Sequence, residues 1–147
     1  MEGTIRSSET TAAPETVFDV AADLAAYPDW ATGVAAVEIL EKDSSGLARR
    51  ARFDVEGFIK RISYELVYEY ERPHRLAWTA VPGDDIAAME GYYEFQANEQ
   101  GGTMILYALR VDPAFTVPGF LRRQAEKQIV TNALRGLRRR AEAAPAE

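Results

Sequence analysis

The chain has 147 residues, of which 47% are hydrophobic, so it is long enough to form one globular domain with a buried core. Its formal charge of −6 argues against nucleic acid as a partner, because binding to a phosphate backbone needs an excess of cations. Cysteine is absent and histidine occurs once, which excludes disulfides and thiolate metal sites and predicts no metal and no cofactor.

The first segment of the chain, residues 1–13, is polar and lacks the apolar core of a signal peptide. No later apolar run approaches the length of a membrane span. We therefore expect a single domain over residues 1–147, a cytoplasmic location and no stable membrane insertion.

A first strand near residues 3–9 is followed by two short helices. The first helix begins at Pro14, where the missing amide of proline costs no hydrogen bond. Apolar residues then recur at three- and four-residue spacing, namely Val17, Phe18, Ala21 and Leu24. Pro28 is expected to push Tyr27 out of helical geometry and to leave Trp30 as a packing anchor.

Six further strands are predicted by alternation of apolar and polar residues, with turn signals between them. The predicted ranges are 34–42, 48–58, 61–71, 76–81, 89–97 and 103–112. A long helix follows at about residues 119–141. This order of elements predicts an α+β domain in which a curved antiparallel sheet surrounds the C-terminal helix.

The long helix carries a broad apolar arc, as expected of a helix held by a concave sheet. Its main stripe is predicted to be Leu121, Ala125, Ile129, Ala133 and Gly136. The arc is extended sideways by Val130, Leu134 and Leu137.

Four segments of the chain resemble the START-like helix-grip superfamily (SRPBCC), which includes the polyketide cyclase/dehydrase and lipid-transport proteins. They are Ala-Pro-Glu-Thr-Val-Phe-Asp-Val at 13–20, Tyr-Pro-Asp-Trp at 27–30, Glu-Arg-Pro-His-Arg-Leu-Ala-Trp at 71–78 and Gly-Gly-Thr-Met-Ile-Leu-Tyr at 101–107. The resemblance implies six to seven strands around the long helix. It also implies an apolar cavity between sheet and helix that takes lipids, sterols, quinones or polyketides.

The in-phase side chains of successive strands should converge on the concave face of the sheet. The candidate cavity lining is Phe53, Tyr64, Tyr68, Trp78, Tyr93, Tyr107 and Leu109, with Ile129 from the long helix. Tyrosine suits such a lining because it combines an apolar ring with one hydroxyl that can orient a ligand. The competing interpretation is that these side chains only fill the core.

No catalytic residue is predicted. His74 lies in a turn beside Pro73, without a pocket or an orienting partner. Arg49 is in phase with Phe53 but is expected in solvent at the strand end. The leading hypothesis is therefore a non-catalytic protein that binds or carries a hydrophobic small molecule.

Two alternatives stay open. The first is an enzyme of the polyketide cyclase, aromatase or dehydratase type that uses the same cavity. The second is a protein-interaction accessory module, because Met104, Leu106 and Ala108 form an apolar strip on the face expected to be convex. A homodimer through this strip is a further hypothesis.

Overall fold

The N-terminal third of the molecule supplies one edge strand and a run of short helices. The computed structural model describes residues 3–56 and 60–144. Strand β1 (Thr4–Thr10) leads into helix α1 (Pro14–Ala22), a 3-10 turn (Leu24–Ala26) and helix α2 (Tyr27–Trp30).

Six more strands complete a single antiparallel sheet. They are β2 (Val34–Lys42), β3 (Ala48–Glu56), β4 (Arg61–Glu71), β5 (Arg75–Val81), β6 (Ile86–Ala97) and β7 (Thr103–Pro113). The 7-stranded sheet has the order β1-β7-β6-β5-β4-β3-β2, so β1 and β2 are its edges. Every predicted strand is present within a few residues of its expected bounds. The last part of the predicted strand 48–58 lies outside the described residues.

The edge strand β2 does not pair evenly with its neighbour β3. The register shifts between Val34 and Ala36, between Ile39 and Glu41, and between Glu41 and Lys42. Such irregularities bend a strand and increase its local twist. The outer edge of β2 is therefore uneven along its length.

The long C-terminal helix α3 (Gly119–Ala143) packs along β1 and β7 and against α1. Its buried side chains are Glu126, Val130, Leu134, Leu137 and Ala141. The predicted main stripe through Ile129 is therefore rotated away from the true contact face: Ile129 is 41% exposed, whereas Val130 is fully buried. The arc of apolar residues is wide enough to fit either rotation, and the packing against β1 and β7 selects one of them.

Two hydrogen bonds attach α3 to β1. Thr4 Oγ1 donates to Glu126 at 2.7 Å, and Thr10 Oγ1 donates to Glu142 at 2.7 Å. The two glutamates are about 24 Å apart along a helix, and the two threonines are about 20 Å apart along a strand. Because these two spans are similar, helix α3 runs alongside β1 for most of the length of that strand.

Helix α1 closes the other end of the core through Phe18. Its ring packs edge-on against Tyr70 and Phe95, with centroid distances of 6.1 and 6.2 Å. Tyr27 is helical rather than extended, with φ −54° and ψ −39°, so the expected effect of Pro28 is wrong. Tyr27 is buried and its hydroxyl donates to Ala21 O, and this tertiary packing outweighs the local preference.

This arrangement is the α+β helix-grip architecture that the resemblance implied. A curved sheet, two short helices after its first strand and a long C-terminal helix enclose one hydrophobic core cluster. Within residues 3–56 and 60–144, no helix combines the length and hydrophobicity needed to cross a bilayer.

Candidate functional site

The register of the sheet brings the predicted lining residues to one face. Phe53 lies opposite Tyr64, and Tyr68 lies opposite Trp78. Directly opposed residues of an antiparallel pair point to the same side of the sheet. The same rule places the partners across β6 and β7 on this side, in the pairs Tyr93 with Tyr107 and Gly91 with Leu109.

We call the surface that these side chains form the inner face. It consists of Phe53, Tyr64, Tyr68, Trp78, Tyr93, Tyr107 and Leu109. All of them are less than 9% exposed except Tyr64, which is half-buried. Ile129, the eighth predicted lining residue, is 41% exposed and does not join the buried cluster.

Trp78 is at the centre of the aromatic contacts on the inner face. Its ring centroid lies 5.9 Å from Tyr68, 5.5 Å from Tyr93 and 5.6 Å from Tyr107. Tyr93 and Tyr107 are closer still, with centroids 4.4 Å apart. These spacings are those of favourable aromatic pairs, so the rings are held in place by one another.

A second aromatic group lies towards β3. Phe53 and Tyr64 are stacked with centroids 5.5 Å apart, and Tyr27 of α2 packs against Phe53 at 6.1 Å. Tyr27 was not predicted as a site residue. Its burial could not be inferred from sequence, because it depends on how α2 folds back over β3.

The buried tyrosine hydroxyls fall into two classes. Tyr27 and Tyr70 donate to backbone carbonyls, those of Ala21 and Ala48. Within the described residues, no protein group forms a hydrogen bond with the hydroxyls of the other class, which are Tyr64, Tyr68, Tyr93 and Tyr107.

The unbonded hydroxyls are not sealed between side chains. In the described part of the chain, the side-chain polar atoms that are fully buried and lack a hydrogen-bond partner include Trp30 Nε1. None of these four hydroxyl oxygens is among them. Each of them therefore keeps some surface that water can reach. A polar group in the interior without a protein partner is normally satisfied by water or a ligand, so the inner face around these hydroxyls is the candidate binding site.

Burial raises the pKa of every tyrosine on the inner face well above its usual value of 10.0. Electrostatic interaction with neighbouring groups adds to the effect, since Tyr64 and the carboxylate of Glu126 both raise the pKa of Tyr107 further. These side chains are consequently neutral hydrogen-bonding groups at neutral pH.

Glu126 is a buried carboxylate that the sequence did not reveal. It is 3% exposed, accepts hydrogen bonds from Thr4 Oγ1 at 2.7 Å and Val111 N at 3.0 Å, and lies 3.5 Å from Arg122. Glutamate in a helix is normally exposed, so only the packing of α3 on β1 and β7 identifies it. Its oxygens are engaged in holding the helix.

The cationic and metal-binding groups considered from sequence lie away from the inner face. His74 is exposed in the β4–β5 turn, and Arg49 pairs with Glu41 at 3.9 Å on the surface. Across residues 3–56 and 60–144, no cluster of three or more histidine, aspartate or glutamate side chains is arranged to hold a metal ion.

Other candidate surfaces are shallower. On the outer face of the sheet, Met104 and Leu106 are half-buried and Ala108 is buried. Two surface depressions have volumes of about 410 and 380 Å³, and the larger is bordered by Trp78 and Leu109 of the inner face as well as by residues of the opposite face. The larger includes Ile5, Ala77, Tyr92 and Ala108 of the outer face, and the smaller includes Trp30, Thr32, Gly33 and Glu56.

Comparison with known proteins connects this geometry to one family. The family model described as polyketide cyclase / dehydrase and lipid transport matches residues 4–142. No curated protein matches the chain by sequence.

Solved structures share the fold at low sequence identity. A START superfamily protein from Mycobacterium smegmatis is 20% identical, with a TM-score of 0.86 over 95% of this chain and 97% of that one. The Zhui aromatase/cyclase from Streptomyces sp. R1128 is 15% identical, with a TM-score of 0.82 over 96% and 93%. A STAR-related lipid transfer protein from Xanthomonas axonopodis is 20% identical, with a TM-score of 0.74 over 94% and 84%.

Proposed function

The chain belongs to the polyketide cyclase / dehydrase and lipid transport family, and from this premise we propose that it binds a hydrophobic or aromatic small molecule between the sheet and helix α3. The ligand would lie against the inner face. In this proposal the protein is a carrier or binding protein for a lipid, sterol, quinone or polyketide-like compound.

The observation that carries the proposal is the set of tyrosine hydroxyls on the inner face that lack a protein hydrogen-bond partner within the described residues and keep some accessible surface. A core that only needed to be filled would be better served by phenylalanine at these positions, because an unbonded buried hydroxyl costs free energy. Apolar walls with a few polar groups are also typical of small-molecule sites.

The chemistry of the inner face favours binding over catalysis. General acid–base catalysis works best with a group whose pKa lies near the working pH. The tyrosine pKa values are raised away from that range by burial, and the oxygens of Glu126 are bonded to Thr4 and Val111. A cyclase or dehydratase reaction would therefore depend on groups that the substrate itself supplies.

Titration with N-phenylnaphthylamine, an uncharged fluorophore that brightens in apolar surroundings, tests the proposal. We expect saturable binding at one molecule per chain, with energy transfer from tryptophan to the bound probe. Because Trp78 is on the inner face and Trp30 is on α2, Trp78→Phe should weaken binding of the probe and Trp30→Phe should leave it nearly unchanged.

Absence of saturable binding would overturn the proposal. Binding that is weakened by Trp30→Phe and unchanged by Trp78→Phe would place the ligand elsewhere. Mass spectrometry of the purified protein after organic extraction gives an independent check, since a co-purified hydrophobic compound would identify the ligand class directly.

A further inference from the structure

The inner face also limits which hydrophobic molecules can be bound. We propose that the site selects uncharged ligands that carry a carbonyl or similar acceptor oxygen, and that it disfavours both plain hydrocarbons and carboxylate ions. This inference rests on the proposed function and adds to it the chemical class of the ligand.

The two classes of tyrosine differ in what their hydroxyls can still bind. The hydroxyls of Tyr27 and Tyr70 already donate to backbone carbonyls. The hydroxyls of Tyr64, Tyr68, Tyr93 and Tyr107 are left available. A hydrocarbon would displace the water that satisfies them and offer no hydrogen bond in return, at a cost in free energy.

These hydroxyls are protonated at neutral pH. The ordinary pKa of a tyrosine is 10.0, and burial raises the pKa further here, so each hydroxyl can donate its proton in a hydrogen bond. A ligand oxygen that accepts such a bond replaces the lost water. Ketone, quinone, ester and amide oxygens all meet this requirement.

The seven residues of the inner face carry no positive charge. The in-phase cation on the described part of β3, Arg49, is exposed and paired with Glu41. Arg122 is engaged by Glu126, the buried carboxylate of α3. An anionic ligand would therefore be taken out of water without a cationic partner, which is costly in a low-dielectric interior.

The phenols of the inner face lie close to one another. The rings of Tyr93 and Tyr107 have centroids only 4.4 Å apart, and Tyr64 influences the pKa of Tyr107 electrostatically. One ligand could therefore reach more than one hydroxyl. A flat aromatic compound bearing a carbonyl group fits both the rings and the donors.

Three ligands that share the naphthalene ring test this inference: naphthalene, acetonaphthone and naphthoate, of which the last two have equal numbers of non-hydrogen atoms. Acetonaphthone and naphthoate differ only by a methyl group in place of a charged oxygen. Each is used to displace bound N-phenylnaphthylamine from the protein. We expect acetonaphthone to bind most tightly, by about 2- to 10-fold over naphthalene for each hydrogen bond gained, and naphthoate to bind most weakly.

Tyrosine variants locate the donor. Tyr64→Phe, Tyr68→Phe, Tyr93→Phe and Tyr107→Phe are made singly, and at least one should lower the preference for acetonaphthone over naphthalene by about 2- to 10-fold. Affinity for naphthalene should not fall. Tyr70→Phe is the matched control, because its hydroxyl is already bonded to Ala48 O, and it should leave the preference unchanged.

The outcomes separate the two proposals. If N-phenylnaphthylamine does not bind, the proposed function itself fails. If it binds and is displaced equally by naphthalene and acetonaphthone, or best by naphthoate, the function stands and the inferred ligand class is wrong. The class is also wrong if acetonaphthone keeps its advantage in all four variants.

Discussion

Gly91 lies opposite Trp78 in the β5–β6 ladder, and its missing side chain leaves room for the indole ring. A Cβ at Gly91 would come within 2.5 Å of Trp78 Cζ2 and 2.7 Å of Ala108 O. We expect Gly91→Ala to lower the free energy of unfolding by about 1–3 kcal/mol, because the indole and a backbone carbonyl must both move. Equilibrium unfolding in urea measures this change.

Gly83→Ala provides the control for that substitution. The nearest atom to a Cβ at Gly83 is Val81 O at 3.9 Å, an ordinary contact distance. This variant should unfold at nearly the same urea concentration as the unaltered protein. Equal stability of Gly91→Ala and Gly83→Ala would show that Trp78 adjusts without cost.

At the level of elements, Glu126 joins α3 to both β1 and β7. Replacing it by alanine removes the acceptor of Thr4 Oγ1 and of Val111 N. We expect Glu126→Ala to lower the free energy of unfolding by about 1–3 kcal/mol for each donor left unsatisfied, and Glu126→Gln to cost less because it keeps one acceptor oxygen. Urea unfolding and hydrogen exchange of the α3 amides measure the two effects.

Glu56→Ala is a suitable comparison, since Glu56 pairs with Arg61 while its side chain is 63% exposed. Loss of such a surface pair should change stability by less than about 0.5 kcal/mol. If Glu126→Ala were equally mild, the two hydrogen bonds from β1 and β7 would not be what holds the helix.

The contrast between the strands and α3 explains how far the sequence could predict this molecule. Apolar and polar residues alternate along a strand with a period of two, so a shift of the strand by one residue would expose every apolar side chain. Strand β4, which alternates in this way, was predicted at its true bounds. Helix α3 has apolar residues around half its circumference. Its rotation, and with it the exposure of Ile129, was decided by contacts with β1 and β7.

The inner face was predictable to a similar extent. Phase along the strands identified the tyrosines that point inward. The same pattern could not distinguish Tyr70, whose hydroxyl meets Ala48 O, from Tyr68, whose hydroxyl has no such neighbour. The difference between the two hydroxyls arises from the position of Ala48 O on β3, which the sequence around Tyr68 and Tyr70 does not encode.

At the level of the whole molecule, the tyrosines link stability to alkaline pH. Burial raises the folded-state pKa of six tyrosines above the ordinary value of 10.0, namely Tyr27, Tyr64, Tyr68, Tyr70, Tyr93 and Tyr107. The folded state thus holds these protons more tightly than the unfolded chain does. The stabilisation is complete below pH 10.0, the unfolded value, and is lost as the pH rises through the folded pKa values.

An alkaline titration followed by two signals measures this coupling. Tyrosinate absorbance and far-ultraviolet circular dichroism should change together, because most of the phenols ionise only when the chain unfolds. Ionisation of most tyrosines near pH 10 with unchanged circular dichroism would contradict the assignment of these hydroxyls to a protected interior.

The uneven edge of β2 affects how copies of the protein can meet. An open sheet presents unpaired backbone groups at both edges, and a regular edge strand can recruit another chain into a continuous sheet. Helix α3 runs alongside β1 at one edge, and the register shifts of β2 interrupt the other. A crowded solution of this protein should therefore resist fibre-like aggregation through strand addition, although its sheet is never closed into a barrel.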